Sequence, residues 1–348
     1  MPGISGFSAM GDEELGEGPA GFEGFVLGPG VAFGGRPFVP AMPSFSPAVP
    51  PAFPPPPASP IAGVSPTPRA LPLIWQTPPG QYSEFEFEWI TEVLFAGIPQ
   101  ERIMDHGGLS TVRDGALLIY SNNLSGPEEA FLAYLERYAR EGFSFDLLHL
   151  SNENLGHDCS YYAKARRVFR NYFDPAITAP NVSYLPLGFQ SGFLNRTGSV
   201  PGPAERLHDA AFIGQPKNDR VELIDVLGRM PRRFLHATKA WSCQTALSPG
   251  DVAGIYATTR YVPCPKGWVH EDSFRICEAL EWGAVPVLRR YGPVDFFSKT
   301  LPGHPFPVID SWEDLPGMVA STDYERLFSE SRRWYLDFRR SLPGRMGG

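Results

Sequence analysis

Residues 264–288 read CPKGWVHEDSFRICEALEWGAVPVL. The apolar run YVPCP leads into this stretch and AVPVL closes it, so the middle is a strand–loop–helix–strand unit, the repeating piece of a layered α/β domain. In the loop KGWVHE, Gly267 lets the backbone turn and approach another group closely. Asp272 or Ser273 caps the helix that follows, and Gly283 ends it. The unpaired backbone N–H groups around Ser273 point at the loop, where the helix dipole attracts an anion by about 0.3–2 kcal/mol. Lys266 adds a full positive charge beside them.

Helical spacing puts Ile276, Cys277 and Leu280 on one face, toward a sheet, and Arg275, Glu278 and Trp282 on another, where Arg275 and Glu278 look out together. Two accounts of the charged residues compete. One is an ion pair three residues apart, worth a few tenths of a kcal/mol. In the other, Glu278 accepts hydrogen bonds from the vicinal hydroxyls of a sugar while the helix end and Lys266 hold the attached phosphates.

Outward from this unit the same alternation continues. DAAFIGQPKNDRVELIDVLGRM gives a strand over 210–213, a glycine turn and a helix from about Asp219, with Lys217 and Arg220 at the turn and the first helical turn. RRFLHAT follows, and a charged amphipathic helix over 323–341 comes last. The Pro/Gly-rich NRTGSVPGPAER, 195–206, reads as a boundary. Before it, FEFEWITEVLFAGI (85–98) looks helical, GALLIYSN (115–122) and FDLLHLS (145–151) read as buried strands, and PEEAFLAYLERYAREG (127–142) as a helix. FDLLHLS runs into the polar loop NENLGHD, and the carboxyl end of such a strand is where α/β sheets build sites.

The expected organisation is therefore a Pro/Gly-rich disordered arm over 1–70, an α/β domain over 71–205, a second over 206–322, and a C-terminal helix and tail over 323–348. Of 38 prolines, 19 fall in the first 80 residues, where neither helical nor strand periodicity is present. The arm reads as a spacer, with a proline-recognising partner as the alternative.

A net charge of −8 without a basic stripe weighs against nucleic acid as a partner. No uncharged apolar stretch of roughly 18 residues and no basic segment leading into a short apolar core occurs, so the expectation is a cytoplasmic chain without a membrane span. Cys159, Cys243, Cys264 and Cys277 have no C-x-x-C spacing and are expected reduced. Sequons at Asn123, Asn181 and Asn195 are read as chance.

CPKG followed by DSFRICEALEWGAVPV resembles the donor-binding segment of exostosin-like glycosyltransferases. FDLLHLSNE, VFRNYF, NVSYLPLGF, AFIGQPKNDR and PFPVIDSWEDL resemble the segments that flank it there, over 145 to about 315. The resemblance implies a GT-B fold, two Rossmann-like domains facing a cleft. A nucleotide-sugar donor, most simply a UDP-sugar, would sit on the C-terminal half, with a glycan or other hydroxyl acceptor on the N-terminal half and inversion at the anomeric carbon. It also implies that Glu278 binds the donor ribose, that Lys266, Gly267 and Ser273 bind the diphosphate, and that Arg220 and Arg275 neutralise the leaving group. Lys266 stands where arginine is frequent in that motif, leaving a point charge in place of a bidentate fork. A fucosyltransferase-like enzyme using GDP-fucose, or a non-catalytic nucleotide-sugar or glycan-binding protein of the same fold, are the alternatives.

Neither an Asp-x-Asp pair nor a cofactor motif occurs, so no metal and no cofactor beyond the donor are expected. Adjacent loop residues rarely converge on an ion, and His270, Glu271 and Asp272 read instead as solvated loop charge. Inverting transfer needs a base for the acceptor hydroxyl. Glu153, at the carboxyl end of FDLLHLS, is the candidate, ahead of Asp158, His149 and His106; its other reading is an exposed loop carboxylate. His149, inside an apolar strand, reads as a core histidine.

Overall fold

Two all-parallel sheets carry the chain. The computed structural model describes residues 69–76, 86–121, 128–150, 152–153, 158–239, 246–267 and 269–347. The expected arm, except for its last two residues, lies outside them, as do Asn123 and Cys243.

The first sheet is built from β1 (Leu71–Trp75), β2 (Gln100–Met104), β3 (Ala116–Tyr120), β4 (Phe145–His149), β5 (Val168–Arg170) and β6 (Val182–Tyr184), in the order β2-β1-β3-β4-β5-β6. Helix α1 (Glu128–Glu141) crosses from β3 to β4. β3 and β4 are buried along their whole length, as parallel strands covered on both faces must be. Residues Trp89–Leu94, expected as part of a helix, form a π-helical turn with both the indole and Thr91 buried. Trp89 lies against Gly188, where a Cβ would come within 2.4 Å of the ring.

The second sheet comprises β7 (His208–Gly214), β8 (Arg233–Ala237), β9 (Thr259–Pro263), β10 (Val285–Arg289) and β11 (Val308–Ile309), in the order β11-β10-β9-β7-β8. Helices α2 (Arg220–Arg229), α3 (Pro249–Ala257) and α4 (Phe274–Glu281) make the crossovers, and α5 (Phe297–Thr300) and α6 (Leu315–Ser321) are short. The strand order reverses between β7 and β9, and a crevice outside the carboxyl ends of those two strands is where such sheets take ligands. α4 begins at an extended Ser273. It ends in a Schellman arrangement: Gly283 at φ +75°, with N–H bonds from Gly283 to Leu280 O and from Ala284 to Ala279 O.

α7 (Tyr324–Gly347) returns from the second sheet to the first. Arg339 and the Tyr335 hydroxyl grip the buried Glu281 of α4 at 2.6 and 2.5 Å, while Arg345 donates to Tyr184 O and Arg167 donates to Met346 O. One apolar core consequently includes Trp89 and Phe95 from the first half, Ile276 and Leu280 from the second, and Leu342 and Met346 from α7.

Candidate functional site at the carboxyl ends of β7 and β9

Glycine ends β7 because a guanidinium takes the space beside it. Arg275, from the first turn of α4, donates through Nε and Nη2 to Ile213 O at 3.3 and 3.0 Å and lies over the Phe212 ring at 5.2 Å. Arg220, at the start of α2, is 3 % exposed. Its Nη2 donates to Lys266 O at 2.8 Å, and its Nε is buried without a partner. Burial, then the nearby Arg275 charge, bring its pKa down to about 10. Lys217 is lowered by burial and by the same two arginines, and raised by Glu153. Three cations thus converge at the switch point.

The Lys266 loop is fixed from the opposite side. Lys266 N–H donates to the Tyr291 hydroxyl at 3.0 Å, and its ammonium lies 5.6 Å from that ring's centroid. Tyr291 in turn donates to Asp219 Oδ2, which also accepts from Trp312 Nε1 at 2.8 Å. Asp219 is therefore engaged by the loop's support rather than paired with Arg220.

At the start of α4, Ser273 Oγ is buried and unpartnered. Asp272, also buried, accepts the N–H of Leu187 at 3.0 Å, and burial pushes its carboxyl up to about 7 against the N–H bonds of Leu187 and Ser273. His270 accepts the Asp272 N–H on Nδ1 and donates from Nε2 to Phe173 O, which fixes a neutral ring; burial lowers its pKa. Glu271 is buried as well and is raised to about 7 by desolvation. The expected solvated loop charge is thus corrected: all three side chains are buried, with Tyr172, Phe173 and Phe296 against His270 and the Leu187 N–H on Asp272. Among the described residues no group of three or more His, Cys, Asp or Glu side chains is placed to hold a metal ion.

Glu278 departs from its expected outward orientation. It is 5 % exposed, has no ion pair to Arg275, and keeps Oε1 buried and unpartnered while the carboxylate accepts the Gln190 N–H. Burial raises it to about 7 against the pull of Arg275. Periodicity placed Ile276, Cys277 and Leu280 inward correctly, but the 186–195 segment and α3 add a second layer over the other face.

Glu153 reaches across from the first sheet. Its Oε1 accepts Val269 N–H at 2.8 Å and His270 N–H at 3.1 Å, and a Cβ on Gly267 would lie 2.6 Å from it. The other base candidates are elsewhere occupied. His149 is fully buried with Nδ1 at 2.5 Å from the Tyr162 hydroxyl, and Asp158 accepts Ser160 N–H at 2.8 Å on the surface. His106 sits at φ +45° in the turn after β2.

Tyr172 escaped the sequence reading. At φ +58° it adopts a left-handed conformation that a bulky residue rarely takes, a kind of strain that gathers at functional sites. Its ring lies 4.8 Å from that of His270 at a tilt of 56°, and burial followed by the Glu153, Asp272 and Glu86 carboxylates drives its hydroxyl pKa up. The amide oxygens of the preceding Asn171 and of Asn152, next to Glu153 in the chain, are buried and unpartnered. Only the polar NE after an apolar strand, and the NY in VFRNYF, hinted at these positions.

No family model and no curated protein matches the chain. Among solved structures it is similar to Anabaena Alr3699/HepE in complex with UDP and glucose, at 11 % identity over 80 % of this chain and 98 % of that one, TM-score 0.47. An α1,3-fucosyltransferase with GDP gives 9 % identity over 80 % and 92 %, TM-score 0.44. The α1,3-fucosyltransferase in a second structure gives 10 % over 80 % and 83 %, TM-score 0.42.

Proposed function

We propose that the chain is a GT-B glycosyltransferase, a hexosyl- or pentosyltransferase that moves a sugar from a UDP-sugar to a glycan or other hydroxyl acceptor with inversion. One observation carries the reading. Arg220 is a buried guanidinium with an unpartnered Nε, set beside a second arginine whose own helix buries the unpartnered Oε1 of Glu278. A buried guanidinium N–H and a buried carboxylate oxygen left without partners are costly unless a ligand supplies them, and in this reading a diphosphate joined to a pentose is that ligand.

In this reading Arg220, Arg275, Lys266 and the backbone around Gly267 and Ser273 hold the diphosphate, and Glu278 accepts hydrogen bonds from the ribose hydroxyls. The acceptor oxygen attacks the anomeric carbon and Glu153 takes its proton. The bond to the diphosphate breaks with its electron pair, and the leaving charge meets cations already in place, so the fixed field does the stabilising without calling on a divalent ion.

Calorimetry with UDP and GDP tests the assignment, and their ratio separates a UDP-sugar enzyme from one using GDP-fucose. Glu278→Ala should weaken the preferred nucleotide by about tenfold. Binding of neither nucleotide at about 1 mM, some −4 kcal/mol, removes the donor assignment.

A further inference from the structure

The donor loop already holds an anion, and it comes from the opposite half of the molecule. Val269 and His270 present two consecutive backbone N–H groups that converge on one oxygen of Glu153. The turn is closed by a 2.7 Å bond from Gly267 N–H to His270 O, and only glycine at 267 leaves room for that oxygen. Converging N–H groups in a tight turn form an anion seat. A second observation points the same way: Arg220, buried and with Nε unpartnered, donates to the carbonyl of Lys266 at the entry of the same loop, and Glu153 supports the charged forms of Lys217 and Arg220.

We propose that the Val269–His270 N–H pair is a phosphate seat of the donor site, and that the Glu153 carboxylate stands in it until a diphosphate displaces it. The inference rests on the donor-site reading above. Two anions do not share one pair of N–H donors, so ligand entry expels the carboxylate toward the acceptor side, where its proton-accepting oxygen is needed. Donor binding and exposure of the base become one event, and a chain without donor keeps the base occupied.

The test is titration of the full chain with inorganic pyrophosphate, UDP and GDP, using the wild type, Glu153→Ala and Glu153→Gln, with hydrogen exchange followed at the Val269 and His270 amides. Removing the competitor should tighten pyrophosphate by about tenfold in Glu153→Ala. The amides should exchange slowly in the wild type, quickly in ligand-free Glu153→Ala, and slowly again once pyrophosphate is added. Glu153→Gln keeps an acceptor without the charge, serves if the alanine variant folds poorly, and should shift affinity the same way. Equal or weaker pyrophosphate binding by the variants, or amides that pyrophosphate leaves unprotected, overturns the seat while a nucleotide response in the wild type keeps the donor reading. No response to any of the three ligands removes both.

Discussion

A Cβ on Gly214 would lie 2.5 Å from Nη2 of Arg275, so the last residue of β7 and the first turn of α4 share one space. Gly214→Ala should push the guanidinium off Ile213 O. Gly214 sits at φ +153°, so alanine there also strains the backbone; together these cost about 1–3 kcal/mol, and UDP or GDP affinity should fall by about tenfold. Urea unfolding beside calorimetry separates the two effects; unchanged nucleotide affinity would remove Arg275 from the site.

Arg220 is held in the interior without a carboxylate partner, so its removal should not harm the fold. Arg220→Met keeps the volume and should leave ligand-free stability within about 1 kcal/mol of the wild type or raise it. Nucleotide affinity should fall about 10- to 100-fold. A loss of stability above about 2 kcal/mol with affinity intact would make the residue a structural tie to the Lys266 carbonyl.

The pH dependence of stability should carry the mark of Glu278. Its folded pKa, about 7, lies above the ordinary 4.5, so the folded chain binds the extra proton between those values. By linkage this contribution is full below about pH 4.5, declines as pH rises toward 7, and is gone above it. His270, lowered by burial, acts in the opposite sense, its contribution being lost as pH falls below the ordinary histidine value. The difference between wild type and Glu278→Gln in thermal unfolding at pH 5 and pH 8 isolates the glutamate. The wild type should lose more stability than the variant on going to pH 8, and equal slopes would contradict the burial.

Glu281 ties α7 to α4 through Arg339 and Tyr335 and also accepts the Asn195 N–H of the loop before β7. Glu281→Ala leaves those groups facing an empty pocket and should cost about 3–5 kcal/mol in urea unfolding. Glu281→Gln, which keeps the shape, should cost less. A neutral alanine variant would show that the helix is held by its apolar stripe alone.

The fold was legible where strands are buried on both faces: ALLIY is an unbroken apolar run and became β3, and FDLLH, apolar apart from the buried Asp146 and His149, became β4. β2 escaped because QERIM is a half-exposed edge strand with no apolar rhythm, and α3 because PGDVAGIYA is apolar nearly all round and shows no face. In the site, cap residues and glycines located the Ser273 and Gly283 ends of α4 from local chemistry alone. Periodicity could give the direction of Glu278 but not the layer that covers it, since that layer is non-local. The bond from Glu153 to residues 269 and 270 joins positions more than a hundred apart, and nothing in either segment announces it.

The return of α7 also bears on how the protein is made. The π-helical turn with Trp89, Val93 and Phe95 emerges from the ribosome early, yet part of its apolar cover is Leu342 and Met346, more than 240 residues later. Until those residues are synthesised, the first sheet carries a bare greasy flank that a chaperone must shield or a neighbouring nascent chain will find.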